Sequence, residues 1–327
     1  MKIIIPLAGK GTRLRPHTYA KPKPLVKVAG KAILGHILDK IKILNPEEVI
    51  FITGEMDDQI KDYVSRNYDF NTSYFNQIEQ LGDGHAVFHA KEKIDSDVLI
   101  AFNDTLFEAD LTQINNLDGD GMIWVSKVDD PSRFGIVTLG EGKVIKSIVE
   151  KPENPPSDLA IIGLYYFKDG VGLFDYLDKI IKENITSKGN EYRLADAMQQ
   201  MLKDGKKLIA GDVKKWMDCG SPENLLETNH YLLDHGINKE IKMENSIVIP
   251  PVYIEDGAKI ENSVIGPYVS IAAGAEVKKA IVKNTIIGEN AIVEDAKLKA
   301  SLIGDNACVV GMFKKLNLGD NSEIRFE

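Results

Sequence analysis

The residues best suited to bind a phosphate lie within the first 31 positions of the chain. Residues 6–31, PLAGKGTRLRPHTYAKPKPLVKVAGK, contain three glycines and seven Lys or Arg residues and no carboxylate. Glycines allow backbone N–H groups to turn towards phosphate oxygens, and the cations neutralise negative charge that the backbone alone cannot. The stretch is therefore predicted to bind a small anionic group.

Charge is distributed unevenly along the chain. The 327 residues carry a net charge of −9, but the first acidic residue is Asp39, and the chain after residue 38 has 32 Lys or Arg against 49 Asp or Glu. Duplex nucleic acid is bound by a broad basic face, because phosphate neutralisation dominates its affinity. We therefore expect a small anionic ligand and no nucleic-acid partner.

Two common phosphate-binding motifs fail on spacing. A Walker loop requires Ser or Thr after its Gly-Lys pair, and Gly30-Lys31 is followed by Ala32. A dinucleotide fingerprint that begins at Gly9 would need a glycine at position 14, which is Leu14. The loop must therefore be interpreted together with the segments that follow it.

The elements that position this loop alternate between strand and helix over the first hundred residues. Buried strands are predicted for KIIIPL, EEVIFIT and SDVLIAFND, and helical spacing covers residues 33–44, 57–67 and 83–92. This alternation predicts a doubly wound, mixed but mainly parallel α/β sheet. Ligands bind such sheets at the carboxyl ends of strands, where both the opening loop and the FND segment lie.

The pattern changes after residue 121. Residues 122–167 consist of β runs between Gly, Pro and Asp turns, which predicts a mixed extension of the sheet. Further helices are predicted at residues 171–183, 191–203 and 221–235, with a strand at 207–213. The first domain is therefore predicted to span residues 1–236.

Aliphatic residues then recur, mostly in steps of five or six, between Ile254 and Ile324. Such steps fit neither a helix nor an ordinary strand, but they are typical of a hexapeptide-repeat parallel β-helix, in which each face contributes one inward aliphatic residue. Triplets that begin at Asn262, Asn284 and Ala300 each precede an Ile-Gly pair. We predict a left-handed β-helix over residues 237–327, with a sandwich of short strands as the alternative.

The loop and the segments after it resemble one enzyme family. AGKGTRL and KPKPL are similar to the signature of the sugar-1-phosphate nucleotidyltransferases, also called nucleotide-sugar pyrophosphorylases. Further stretches resemble that family's motifs in the same order: QIEQLGDGHA, FND, RFGIV with VEKP, GNEYRLADAM and WMDCGSPENLLE. An ordered series of this length is far more specific than any one of its motifs.

The resemblance implies a reaction between two phosphates. In this family a sugar-1-phosphate oxygen attacks the α-phosphorus of a nucleoside triphosphate, which gives a nucleotide-sugar and pyrophosphate. The nucleophile is already an anion, so no general base is needed, and most histidines are expected to be structural or solvated. UTP or dTTP with glucose 1-phosphate is the predicted substrate pair; N-acetylhexosamine-1-phosphate uridylyl transfer and mannose-1-phosphate guanylyl transfer are the alternatives.

The same resemblance assigns roles to individual residues. Arg13, Lys23, Asp104 and Asp218 are the implied catalytic residues, and the two aspartates are the implied ligands of Mg²⁺, a cation that prefers oxygen. Glu150 would accept hydrogen bonds from sugar hydroxyls. The implied nucleotide-binding residues are Leu7, Ala8, Gly9, Gly11, Thr12, Arg13, Gln77, Gln80 and Gly82. The implied sugar-phosphate-binding residues are Gly135, Glu150, Lys151 and Ile161.

Four positions depart from the family's usual pattern or vary within it. Leu7 replaces a small residue beside the base, and Asn103 replaces the glycine before the metal-binding aspartate. Asp83 stands where relatives carry Thr or Leu; it would either accept a hydrogen bond from a ribose hydroxyl or cap the helix that is predicted from residue 84. Ile161 is typical of members that use a plain hexose phosphate.

Two rival functions share parts of this pattern. A hexapeptide acyltransferase needs a histidine base in its β-helix, and residues 236–327 contain no histidine. A non-catalytic regulatory subunit of the same fold typically lacks a catalytic cation or aspartate of the kind that this chain retains. The β-helix is therefore predicted to be an assembly surface, and a homo-oligomer is expected.

The location of the protein is predicted from what its segments resemble. The apolar run KIIIPL has six residues, whereas a bilayer span needs about 20, and it does not resemble a signal peptide. Cys219 and Cys308 are far apart and suggest neither a disulfide framework nor a metal site. A cytoplasmic protein without a membrane partner is expected.

Overall fold

The computed structural model describes residues 1–186, 190–236, 243 and 245–311. The chain divides into two compact units, Met1–Thr228 and Asn229–Glu327. The predicted domain boundary after residue 236 adjoins residues outside the described ranges and stays a prediction. Gly189 of the GNEYRLADAM segment and the repeat positions Leu318 and Ile324 also lie outside those ranges.

The first unit combines strands and helices in alternation. Its strands are β1 Lys2–Pro6, β2 Lys27–Val28, β3 Lys31–Ala32, β4 Glu48–Thr53, β5 Thr72–Asn76, β6 Val98–Ala101, β7 Thr105–Glu108, β8 Gly121–Lys127, β9 Gly135–Leu139, β10 Ile145–Glu150, β11 Leu159–Phe167, β12 Leu208–Asp212 and β13 Lys215–Asp218. Its helices are α1 Ile33–Ile41, α2 Asp57–Asn67, α3 Asp83–Phe88, α4 Gly170–Lys182, α5 Leu194–Lys203 and α6 Pro222–Asp234, of which α6 crosses the division between the units. Short 3₁₀ turns span Thr12–Leu14, Lys23–Leu25, Lys42–Leu44, Lys91–Lys93, Leu111–Asn116, Pro131–Arg133 and Glu141–Lys143.

A nine-stranded sheet organises this unit. Seven strands follow the order β10-β9-β11-β6-β1-β4-β5, while β8 pairs with β11 and β12 pairs with β8. β1 is buried along its whole length and is parallel to β4 on one side and β6 on the other. The predicted doubly wound, mixed sheet is confirmed, and the strand order changes direction at β1, where such folds bind ligands.

The apolar faces of three helices cover one side of the sheet. Leu177 of α4, Met198 of α5 and Val87 of α3 belong to one buried cluster with Ile4 and Ile100 of the central strands. Each large aliphatic side chain of this kind contributes about 1.5–3 kcal/mol on full burial. The rigid sheet that results carries the loops at its edge.

A two-stranded ribbon was not predicted from the sequence. β7 and β13 pair antiparallel, with Thr105 opposite Asp218. Both strands have four residues and mixed polarity, and so short a stretch has no clear period. The ribbon brings the segment after β6 next to the end of β13, although the two are far apart in the chain.

The described part of the second unit is built almost entirely of very short strands. They are β14 Ile247–Val248, β15 Val252–Ile254, β16 Lys259–Glu261, β17 Val264–Ile265, β18 Val269–Ile271, β19 Glu276–Lys278, β20 Ile281–Lys283, β21 Thr285–Ile287, β22 Ile292–Glu294, β23 Lys297–Lys299, β24 Leu302–Ile303 and β25 Cys308–Val310. They form three parallel sheets in the orders β14-β17-β20-β23, β15-β18-β21-β24 and β16-β19-β22-β25. The predicted hexapeptide-repeat parallel β-helix is confirmed; its left-handed sense stays a prediction.

Stacked aliphatic side chains fill the interior of this β-helix. Ile254, Ile271, Ile287 and Ile303 are register partners in successive coils, and the first three are almost completely buried. The first residue of each predicted triplet has a positive φ angle, namely Asn262, Asn284 and Ala300. Each of these three residues therefore lies at a corner of a coil, and the next short strand begins one or two residues later. Among the described residues, no helix is long and apolar enough to span a membrane.

Candidate active site

The glycine loop leaves the sheet at the carboxyl end of β1. Leu7 and Ala8 are buried, and the Leu7 N–H donates to the Ile52 carbonyl at 2.7 Å, which continues the pairing with β4. Gly9 is exposed with open space around it. Gly11 has a φ angle of 59°, a left-handed conformation that favours glycine. The loop therefore presents its backbone at the edge of the sheet without covering it with side chains.

Two 3₁₀ turns place the predicted catalytic cations. Thr12 and Arg13 lie on the first turn, which the buried side chain of Leu14 anchors, and both are exposed. Lys23 lies on the second turn and is only 8% exposed. Its Nζ is 3.5 Å from Oδ2 of Asp104. Burial and this ion pair hold the Lys23 ammonium group beside the carboxylate, whereas Arg13 remains open to a ligand.

Asp104 and Asp218 meet at the β7–β13 ribbon. Asp104 directly precedes β7, and Asp218 ends β13 opposite Thr105. The Cys219 N–H donates to the Asp104 carbonyl at 3.0 Å, so the two aspartate backbones are neighbours. Both side chains line the same cavity.

The Asp218 carboxylate is held in a fixed orientation. Its Oδ1 accepts from the Gly220 N–H at 2.7 Å, and its Oδ2 accepts from Nδ2 of Asn224 at 2.7 Å. A side chain at position 220 would collide with this Oδ1 and lie 2.9 Å from Nη2 of Arg13. Gly220 therefore keeps the space in which the Arg13 guanidinium approaches the aspartate.

A cavity of about 490 Å³ contains the predicted sugar-phosphate residues. Gly135, Glu150, Lys151 and Ile161 all line it, together with Arg13, Asp104 and Asp218. A Cβ at position 135 would lie 2.9 Å from Oε2 of Glu150 and 3.4 Å from Cδ1 of Ile161, so a side chain there would narrow the cavity. The absence of a side chain at Gly135 keeps room for a ligand between them.

The environment of Glu150 changes its acidity. Burial raises the pKa of Glu150, and the negative charge of Asp83 raises it further, while the neighbouring Lys151 ammonium, 3.6 Å from Oε1, opposes the change. Lys151 has a φ angle of 43°, and its N–H donates to the Phe134 carbonyl at 3.0 Å. This turn places the lysine and the glutamate side by side on the cavity wall.

A second cavity of about 270 Å³ contains most of the predicted base-binding residues. Ala8, Gly9, Gln77, Gln80 and Gly82 line it, and it shares Asp83, Phe102 and Asp104 with the larger cavity. Nε2 of Gln80 donates to the Ala8 carbonyl at 2.6 Å, which joins the base loop to the glycine loop. The two cavities therefore adjoin along the carboxyl ends of β1 and β6.

Comparison with known proteins places this arrangement in a family. The model of the nucleotidyl transferase family matches residues 2–235. The chain belongs to that family. The model of the GlmU-like C-terminal hexapeptide matches residues 233–288.

Relatives of this nucleotidyl transferase chain are found among archaeal proteins. It is 36% identical over 263 residues to the bifunctional protein GlmU of Methanococcus maripaludis, which covers 79% of the chain and 61% of the relative. It is 31% identical over 244 residues to the UTP–glucose-1-phosphate uridylyltransferase AglF of Haloferax volcanii, which covers 71% of the chain and 96% of the relative. The chain thus spans about 61% of the length of the GlmU relatives that it matches.

A solved structure has the same fold as the nucleotidyl transferase unit. A UDP-glucose pyrophosphorylase in complex with UDP-glucose is 26% identical, with a TM-score of 0.63. The similarity covers 72% of this chain and 98% of that one.

Some predicted residues of the nucleotidyl transferase site support the cavities rather than line them. Leu7 is buried behind the glycine loop, and a Cβ at position 11 would lie 3.0 Å from the Cβ of Lys23, so a side chain there would crowd the turn that carries Lys23. Thr12 and Lys23 also lie outside both cavity walls. Lys23 is connected to the cavity wall through its ion pair with Asp104, which lines both cavities.

The prediction that Asp83 caps its own helix is wrong. α3 begins at Asp83 itself, after Gly82, and no side chain caps it. Oδ1 of Asp83 accepts instead from the Leu194 N–H at 2.7 Å, and Oδ2 lies 3.1 Å from Nη1 of Arg193. The carboxylate thus satisfies a backbone N–H in the first turn of α5, one of those that a helix leaves without an internal partner. The ribose alternative for Asp83 stays a prediction.

Several residues of the larger cavity were not singled out from the sequence. Arg133 and Arg193 lie within the RFG and EYR stretches of recognised motifs, and they add two cations to the wall. Trp216 packs edge-on against Phe134, with ring centroids 5.1 Å apart. Positive charge beside a motif was the available signal for the arginines, whereas nothing local indicates that Trp216 faces the cavity.

Proposed function

We propose that this protein transfers a nucleotidyl group from UTP or dTTP to a sugar 1-phosphate, with glucose 1-phosphate as the preferred acceptor, and releases pyrophosphate. The observation that carries the proposal is the grouping of Arg13, Asp104 and Asp218 on the wall of the larger cavity, where Asp104 also lines the smaller cavity and pairs with the buried Lys23. The names of AglF and of the UDP-glucose pyrophosphorylase support a glucose 1-phosphate substrate.

The smaller cavity would hold the base and the larger one the sugar phosphate. Gln77, Gln80 and Gly82 would contact the base, because they line a cavity that also opens onto the glycine loop. Glu150 would accept hydrogen bonds from sugar hydroxyls, and Lys151 would bind the sugar phosphate. The α-phosphorus would then lie between the cavities, near Asp104, which lines both.

The charged residues account for the chemistry without a general base. Two polyanions must be brought together in line, and negative charge on the phosphoryl oxygens must be stabilised. Arg13 is open to the triphosphate, and Lys23 is buried beside Asp104 with its ammonium directed at the same point. A prealigned cation of this kind contributes about 100-fold or more to the rate.

The donor set fits a magnesium ion that is shared with the substrate. The described residues contain no group of three or more His, Cys, Asp or Glu side chains that could bind a metal ion by themselves. Asp104 and Asp218 supply carboxylate oxygens, and Mg²⁺ usually combines one or two carboxylates with phosphate oxygens and water. When bound, the ion would neutralise charge on the phosphates.

The experiment is a substrate matrix. Purified protein is incubated with each of five nucleoside triphosphates and with glucose, N-acetylglucosamine and mannose 1-phosphates in the presence of Mg²⁺, and pyrophosphate release is measured. UTP or dTTP with glucose 1-phosphate should give the highest kcat/KM. A preference for N-acetylglucosamine 1-phosphate, or for GTP with mannose 1-phosphate, would replace the proposed substrate pair.

The same matrix tests the non-enzymatic alternative. A regulatory subunit would release no pyrophosphate with any combination, although it could still bind a nucleotide.

We propose also that the protein is a cytoplasmic homo-oligomer that assembles through its β-helix. That proposal is independent of the activity.

A further inference from the structure

The side chain of Gln77 is buried in the smaller cavity and is held by two contacts. Its Nε2 donates to the Gly82 carbonyl at 3.2 Å and lies 3.2 Å from Nδ1 of His85. A carbonyl oxygen only accepts, so the contact with Gly82 determines which end of the Gln77 amide is the nitrogen. The second hydrogen on that nitrogen then points to His85. Within the described part of the chain, the Gln77 Oε1 accepts no hydrogen bond.

The His85 ring can accept this second hydrogen only when Nδ1 is unprotonated. Burial lowers the pKa of His85, and so does the nearby His89, whose ring meets it edge-on at 4.8 Å. The charge of Glu79 and a hydrogen bond to its backbone carbonyl oppose this change. The ring of Tyr192 also lies near His85, with the ring centroids 6.4 Å apart. Because the net pKa is below the usual value for histidine, the ring is neutral near pH 7.

We propose that His85 is a positioning residue for nucleotide selection: its Nδ1 accepts the second amide hydrogen of Gln77 and thereby keeps Oε1 of Gln77 free to accept a hydrogen bond from the base. A base with an N–H at that position, such as the imide of uracil or thymine, then binds better than cytosine, whose ring nitrogen is itself an acceptor. The inference rests on the proposed function, because it requires a nucleotide in this cavity.

Protonation of His85 reverses this arrangement. An N–H on Nδ1 would face the N–H of Gln77, and two donors cannot form a hydrogen bond. The Gln77 amide would have to turn over, lose its bond to Gly82 and present a donor to the base. Affinity for UTP should therefore fall as the pH falls through the pKa of His85, while affinity for CTP should not fall by the same factor.

The experiment measures binding of UTP, dTTP and CTP to the 327-residue protein by titration calorimetry from pH 5 to pH 8.5, in magnesium buffer without sugar phosphate. His85→Leu removes the acceptor, and we expect its Kd for UTP at pH 7.5 to rise by about three- to tenfold, the scale of one hydrogen bond. The preference for UTP over CTP should narrow. His85→Asn places an amide oxygen near the position of Nδ1, so it should retain the affinity for UTP and lose the dependence on acid.

Two controls separate the effect of His85 on UTP affinity from other causes of a change in affinity. Phosphate groups titrate near pH 6, so each variant is compared with the unaltered protein at the same pH. His89→Leu is the control for packing at pH 7.5, because His89 directly follows the same helix, its Nε2 has no hydrogen-bond partner among the described residues, and no hydrogen bond there joins it to Gln77. A thermal unfolding curve for each variant identifies loss of the fold.

The outcomes distinguish this inference from the proposed function. If the unaltered protein binds neither UTP nor dTTP, the proposed function is wrong and the His85 inference falls with it. If it binds UTP but folded His85→Leu binds with the same affinity and the same pH dependence, only the His85 inference is overturned. An equal loss in His89→Leu would overturn it too, since packing would then explain the effect.

Discussion

Asp218 is oriented by two hydrogen bonds from its own neighbourhood, and Asp104 is fixed by the buried ammonium of Lys23. These contacts use only part of the capacity of each carboxylate, because an ionised carboxylate has about four acceptor sites. Free lone pairs on both aspartates therefore face a shared cavity. The cation and phosphate binding that we propose would therefore need no large rearrangement of these two side chains.

The first prediction concerns these two aspartates. Asp104→Asn and Asp218→Asn should each lower kcat by about 100-fold or more, because the stabilisation of charge on the phosphoryl oxygens is lost. Circular dichroism and the melting temperature should change little. Asp58→Asn is the control, since the Asp58 side chain is 96% exposed and lies outside both cavities. Retention of more than a tenth of the activity in either aspartate variant would contradict the assignment.

The second prediction concerns Glu150 and pH. The pKa of Glu150 is raised in the folded protein, so its contribution to stability is present at low pH and is lost as the pH rises through that pKa. Glu150→Gln should therefore stabilise the protein more at pH 7.5 than at pH 4.5. Its KM for the sugar phosphate should rise at pH 7.5, because the acceptor for sugar hydroxyls is weakened.

Thermal unfolding at the two pH values, together with initial rates, tests this prediction. Lys146→Gln serves as a control for a charge change on the same strand. A melting-temperature difference for Glu150→Gln that is equal at both pH values would show that burial of its charge is not what destabilises the native state.

At the scale of elements, loop 81–84, which contains the predicted base-binding residue Gly82, is hydrogen-bonded to the residues at the start of α5. Tyr192 donates its N–H to the Leu81 carbonyl at 2.8 Å, and Gly84 donates to the Tyr192 carbonyl at 2.9 Å. Gly82 has a φ angle of 115°, and a Cβ there would overlap the Tyr192 carbonyl oxygen. The Asp83 carboxylate adds the contacts with Leu194 and Arg193. Loop 81–84 is thus held by residues that are remote in the sequence.

The third prediction concerns the contacts between Asp83 and the start of α5. Asp83→Leu should lower the free energy of unfolding by about 1–3 kcal/mol, because the Leu194 N–H loses its acceptor and the Arg193 guanidinium loses one of its two carboxylate partners, the other being Glu191. Asp83→Asn should cost less, since its amide oxygen can still accept from Leu194. A purely structural role leaves the ratio of kcat/KM for UTP and dTTP unchanged, whereas a hydrogen bond from a ribose hydroxyl to Asp83 predicts that the preference for UTP narrows in Asp83→Leu.

Urea unfolding and paired nucleotide kinetics check this prediction. A double-mutant cycle with Arg193→Gln isolates the ion pair, for which a coupling of at most about 1 kcal/mol is expected at a partly exposed site. A narrowed preference for UTP over dTTP in Asp83→Asn, with unchanged stability, would favour the ribose hypothesis over the structural role.

At the scale of the whole molecule, the predicted catalytic residues and the β-helix lie in separate units of the chain. Every predicted catalytic residue lies within Met1–Thr228. The relative AglF corresponds to 71% of this chain, and the match covers 96% of AglF itself. We therefore expect the first unit to keep its activity without the repeats.

The fourth prediction is that a protein truncated after residue 236 retains kcat within a few-fold of the full chain. Its mass in solution should fall towards that of one subunit, because the assembly surface is predicted to be the β-helix. Multi-angle light scattering of both proteins measures the number of subunits. The same subunit number before and after truncation would show that the first unit makes the oligomer contact.

The sequence alone determined the glycine loop after β1, the buried strand that ends before Asp104, and the coils of the β-helix. These features follow from local chemistry: glycine at the turn, continuous apolar strands, and a repeat of five or six residues. The tertiary structure decided that Asp83 binds the start of α5, that Thr105 lies opposite Asp218, and that His85 meets Gln77. The spacing of apolar residues along the sequence indicates which side chains are buried. The partner of a hydrogen bond, in contrast, depends on strand register and on how loops that are distant in the sequence pack together.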